Sequence, residues 1–577
     1  RAARQLKREV AEADRLVEEF QSADLVVYGN ARIALQGHGP YAVPYVVGLL
    51  ELEAAEQQQQ TVVAHAVSLL ANLQRDACLP LIRVLSGTDS QLLKTRVANV
   101  LGQIGDGRAV PALMAVLADA GAGEQAKAAA ARAVVSITGQ SPQELGSAVD
   151  QSVALGGAYF EQDGAQVGYT YGMTADIWEW NPAGEALADK VVYEEVPNYL
   201  YYQRMTAEVA LDGLAAEPGN KDLQALLAAA LVRQFALCEF FKTADIRLGG
   251  QELEAQVKQD AAQRAAEFAV EVPVVLRMLA APVLAQALQL TLGANDGPAS
   301  LLLVKTLGDK LAAAGPDALD AETAVALAAA LGSGDKDVRY NAAIVLVSAD
   351  PAAALAPAQE VMDVMGAALA AAADRNALVI MDNFELRNKL VKVLRDQGVA
   401  TIESGVLEDR IESALTLEPS VDIVFLAGNV PAGRLGRIVT DLLGGDPRTK
   451  AAPLYVVLDP AEEAPGLGDY ANITAVLSSD DLRSAKIQPI LREQVFAQSR
   501  SAFTDQEEAL VLKAARALDA VNPLQTQYPF GDVELPLIKA LTGYSEEVAS
   551  VAVGSLAAFG SGQSVDPLSR LVAGEGS

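Results

Sequence analysis

The chain has 577 residues, 51% of them hydrophobic and only 5% aromatic, and its 44 Lys+Arg against 74 Asp+Glu give a net charge of −30. That length exceeds the roughly 250–300 residues at which single cores stop growing, so several domains are expected, and a composition led by alanine and leucine favours helices. A surface of this sign repels phosphate backbones and anionic headgroups, which excludes nucleic acid as an expected partner. Two cysteines, Cys78 and Cys238, and two histidines, His38 and His65, are too few and too scattered for a disulfide framework, a multi-histidine metal site or a nucleophile–histidine pair. No cofactor or metal is expected. Apolar runs such as Ala225 to Val232 stop short of the roughly 20 residues that span a bilayer, so no membrane insertion is expected.

Residues 1–150 open with an amphipathic helix that places Val10, Leu16, Val17 and Phe20 on one face. Three segments then align on Pro44, Pro80 and Pro111, with a partial fourth copy behind them. Each reads as a helix carrying small residues such as Ala66 or Ala98, a turn with Gly or Asp, and a proline in the opening turn of a second apolar helix. One such pair cannot bury its own face, so neighbours must stack. The stretch "RVANVLGQIGDGRAVPALMAVL", Arg96 to Leu117, resembles bacterial HEAT repeats, and the resemblance implies an α-solenoid.

Residues 151–202 collect both tryptophans and seven of the fifteen tyrosines. They read as a β-hairpin-like insertion with an aromatic surface, or as a cap on the helical stack, and Trp178, Trp180, Tyr199, Tyr201 and Tyr202 are its candidate interaction anchors. Helical periodicity returns over 203–373. One stretch there resembles a tetratricopeptide helix pair, and Gly334 to Pro351, with Arg339 and Ala342, resembles a HEAT unit.

Over 374–497 the period changes to alternating strands and helices: "ALVIMDN", "VATIESG", "VDIVFLAGNVP", "APLYVVLDP" and "ITAVLSS" as strands, with helical segments between them. That alternation predicts a parallel sheet with a site at the carboxyl ends of its strands. The order resembles the receiver domain of response regulators, a flavodoxin-like fold. Carried over residue by residue, the family's acidic pair falls on Asp382 and Asn383 and its phosphoacceptor on Ala427. Its switch hydroxyl falls near Leu458 with Asp459 beside it, and its lysine falls near Ser479. The nucleophile and the cation are thus expected to be missing, and phosphoryl transfer with them. Residues 498–577 return to HEAT-like helices, with Pro536 and Pro567 in the proline role.

The expected fold is mainly α, HEAT-like solenoid segments with an inserted α/β pseudo-receiver domain. The expected function is a non-enzymatic scaffold with protein partners, self-association included. The alternative is a phosphorylation-independent regulator whose pseudo-receiver binds a partner or small ligand. An enzyme akin to the repeat-containing lyases that attach bilins would need an acid–base constellation that these residues do not supply. The chain starts at Arg1 without methionine, so an exported, cell-envelope protein is expected, with cytoplasmic residence as the alternative.

Overall fold

The computed structural model describes residues 10–243, 251–315, 318–370, 375–397, 399–416, 421–430, 432–445, 449, 452–458, 470, 472–496 and 505–572. The fold is predominantly helical, with a two-stranded antiparallel sheet and a five-stranded parallel one. The chain divides into two compact units, Arg1–Leu303 and Val304–Ser577.

In the first unit, the helix pairs are built from local signals. The Gln91–Ile104 helix starts at Ser90, whose side chain accepts from the Leu93 N–H, and stops at Gly105, which takes the left-handed conformation (φ 74°) that a side chain resists. Asp106 then turns the chain by accepting from the Arg108 N–H. Ala66 and Ala98 are fully buried. Gly102 lets two helices touch: a Cβ there would lie 2.9 Å from the Ala133 Cα on the Glu124–Thr138 helix.

Pro44 and Pro111 stand in the opening turn of their α-helices, as the sequence suggests, while Pro80, Pro536 and Pro567 stand about one turn later. Pro80 lies inside the Arg75–Gly87 helix, five residues beyond its first residue. Pro536 and Pro567 stand at the same distance from Gly531 and Gly562. At Pro44 and Pro111 the helical entry is a separate 3₁₀ turn, beginning at Gly39 and Gly107. A proline has no N–H to donate back to the preceding turn, so that turn is free to tighten.

Strands β1 (Thr174–Trp180) and β2 (Val191–Pro197) form an antiparallel hairpin in which Trp178 faces Tyr193. The Lys221–Thr243 helix runs 23 residues because polar residues extend the apolar run at both ends. It is long and apolar enough to cross a bilayer, contrary to the sequence expectation, yet half of its apolar window is buried within the protein.

In the second unit, helices Lys336–Ala349 and Ala358–Ala370 precede the parallel sheet, and Asp505–Asp519 and Gly531–Gly543 follow it. The earlier pair packs directly against the later pair. Gln359 donates to Asp532, and the Tyr544 hydroxyl donates to the Leu369 carbonyl. The sheet between them consists of β3 (Arg375–Ile380), β4 (Val399–Ser404), β5 (Ile423–Ala427), β6 (Leu454–Leu458) and β7 (Ile473–Ser478), in the order β4-β3-β5-β6-β7. All neighbours are parallel, and the central strands are buried on both faces, as their unbroken apolar runs require.

Candidate functional site

The carboxyl ends of the parallel strands bring most of the expected residues together, each engaged by backbone or packing. Asp382, exposed at the end of β3, accepts from the Val406 N–H at 3.2 Å and so ties the β3 turn to the β4 turn. Asn383 caps the Phe384–Asp396 helix, accepting from the Glu385 and Leu386 N–H groups. Ala427 ends β5 at 9% exposure. Beside it Gly428 has no room for a side chain, because a Cβ would meet Leu458 Cδ2 at 2.3 Å. Leu458 therefore fills the space that a side chain at Gly428 would take. Asp459 lies outside the described residues.

Ser479 is buried, and its carbonyl accepts from Lys389 Nζ at 3.2 Å. A cation therefore does reach this end of the sheet, from the helix that follows β3, where sequence alignment expected none. The signal was a lysine six residues into a helix that starts at the strand ends, and a position-by-position comparison passes over it. Nearby, an open polar cavity of about 640 Å³ is lined by Glu408, Asp409, Glu412, Arg434 and Arg437. Among the described residues no group of three His, Cys, Asp or Glu side chains is placed to hold a metal ion.

The aromatic segment is different in kind. Trp178 and Tyr201 are 4% and 5% exposed, so these two anchors pack the first unit and present no surface. Trp178 sits 5.1 Å from Tyr193 and 6.0 Å from Tyr41. Trp180 is half-buried over Gly87, with Lys190 Nζ 5.9 Å from its ring. Tyr199 stacks on Phe241 at 4.0 Å, and the Tyr202 hydroxyl donates to the Gly168 carbonyl. The side chains that do face outward are Tyr169 and Tyr171, at 69% and 88% exposure. Arg83 fastens the hairpin to the helices, donating to the Trp178 carbonyl at 2.8 Å and to both Asp212 oxygens.

A buried charge pair marks the Asp106 turn. Arg108 donates to Asp106 at 2.8 and 3.0 Å and to the Arg75 carbonyl at 3.0 Å. Burial alone would raise the Asp106 carboxyl, but hydrogen bonds from Arg108 and the charges of Arg108 and Arg75 hold it below the usual carboxylate range. Burial pushes the Cys78 and Cys238 thiols up to about 12, so both remain neutral thiols at physiological pH.

No protein-family model matches the chain, and no curated protein matches it.

Proposed function

We propose that the chain is a non-enzymatic scaffold. In this reading HEAT-like solenoid segments offer extended surfaces to protein partners, copies of the chain included, and an inserted flavodoxin-like pseudo-receiver serves as a docking module. The strand order supports the pseudo-receiver, since flavodoxin-like sheets share it and place their sites at the same strand ends. One observation carries the loss of phosphorylation: β5 ends on the methyl group of Ala427, 9% exposed, at the strand end where a receiver would carry its acceptor carboxylate. Asp382, the remaining acid of the pair, is engaged by the Val406 amide.

Incubation with acetyl phosphate or phosphoramidate is expected to leave the intact mass unchanged, and one added phosphoryl group overturns the reading. Crosslinking mass spectrometry in the native source is expected to map partners to the helix-pair faces. A second reading, a regulator whose pseudo-receiver binds a small ligand or partner, is favoured by the polar cavity at Glu408 and Arg434. Crosslinks concentrated there rather than on the helix pairs would select it.

A further inference from the structure

In the first unit the helices Arg75–Gly87, Val110–Ala118, Ala148–Phe160 and Asn198–Ala216, with Trp178 of β1, line a partly open cavity of about 400 Å³. Its walls are mainly apolar: Ile82, Val116, Val149, Leu155, Trp178 and Val209. Every charged side chain lining it is paired within the protein. Arg83 meets Asp212 at 2.8 Å and Glu208 at 3.2 Å, Lys94 meets Asp119 at 3.4 Å, and Arg108 meets Asp106 at 2.8 Å. Burial pushes the Tyr159 phenol up, so the floor is uncharged as well.

Size and charge together select the occupant. Small-ligand pockets run from roughly 300 to 1,000 Å³, and this cavity falls within that range. An anionic or cationic ligand would have to displace one of the ion pairs to find a partner.

We propose that this cavity binds a neutral, mainly apolar small molecule of about 20 non-hydrogen atoms at interior packing density, a fused-ring or terpene-like body rather than a fatty acid. The site is separate from the sheet and stands whether or not the helix pairs also bind proteins.

Trp178 makes it testable, because a bound probe sits within energy-transfer distance of that indole. The full chain carrying Trp180→Phe is titrated with the neutral probe N-phenyl-1-naphthylamine. Saturable one-to-one binding in the micromolar range is expected, with quenching of the remaining tryptophan. Ala112→Phe, which projects a ring into the cavity, is expected to weaken binding by about tenfold or more. Ala128→Phe, exposed on the Glu124–Thr138 helix, which contributes no residue to the lining, is expected to leave it unchanged. Ala115→Leu, a smaller filling change, gives the same comparison should Ala112→Phe alter the circular dichroism. Non-saturating probe emission, or equal affinity in the cavity-filling and control variants, overturns the site. Tighter competition by dodecanoate than by dodecanol overturns the neutral ligand class.

Discussion

The Asp106 turn of the first unit and the Ala427 end of β5 in the second both lie where a packed element meets a turn, and they treat charge oppositely. At Asp106 a carboxylate and a guanidinium two residues apart are buried together, and Arg108 donates to both Asp106 oxygens and to the Arg75 carbonyl. At Ala427 the strand ends on a methyl group, 9% exposed, where a receiver would carry a carboxylate. A charge pair closed within one turn satisfies itself. A cluster assembled from four strand ends depends on all its members, and once one is absent the others serve as caps and ties for the backbone.

That contrast can be broken by substitution. The largest effect is expected from Asp106→Ala, which leaves Arg108 buried without its carboxylate and should cost the first unit about 3–5 kcal/mol. Both tryptophans lie in that unit, so denaturant unfolding followed by tryptophan emission reads it; a loss below about 1 kcal/mol, ordinary for any substitution, removes the special status of the turn. Gly102→Ala should follow at about 1–3 kcal/mol in the same assay, because the new methyl meets backbone rather than a movable side-chain tip.

Acid tests the pair without disrupting the chain. Since the Asp106 carboxyl is held below its ordinary 3.8 in the fold, its contribution is complete above that pH and is lost as pH falls through the lower folded value. First-unit stability should therefore begin to fall below about pH 4, and Asp106→Asn should show a flatter acid limb; equal acid limbs would assign the acid sensitivity to other carboxylates. On the sheet side, Asn383→Ala should cost about 1 kcal/mol through the lost cap, read as faster amide exchange in the first turn of Phe384–Asp396. The smallest effect is expected chemically: Ala427→Asp alone should acquire no phosphoryl group from acetyl phosphate, and a single modified species in that variant would show that the carboxylate is the one group the strand ends lack.

Much of the architecture was legible because it rests on local pattern. Strand positions such as Val399–Ser404 and Ile473–Ser478 follow from short apolar runs between glycine and polar turns, and helix pairs follow from recurring prolines and small residues. What stayed hidden depends on contacts distant in sequence. Trp178 reads as a surface anchor until Arg83 and Tyr41, from elements far upstream, are seen to close over its strand. Lys389 reaches Ser479 across the sheet, and no spacing rule links a lysine to a carbonyl ninety residues away. The cavity beside Trp178 is a product of four helices and has no motif at all.

The insertion of the parallel sheet between helices that pack on each other has a consequence for the order of assembly. The Ala358–Ala370 helix finishes its packing only on Gly531–Gly543, so during synthesis one of its faces stays uncovered until the whole sheet has left the ribosome. Loop-closure entropy adds only about 0.6 kcal/mol for each doubling of the intervening chain, so the equilibrium tolerates the arrangement. The rate does not: parallel pairing of distant strands is slow, and it has to be completed inside the loop that the outer helices close. Folding of the second unit is thus timed by its topology, and a chain interrupted within the sheet is left with an unfinished helical half that needs shielding from its neighbours.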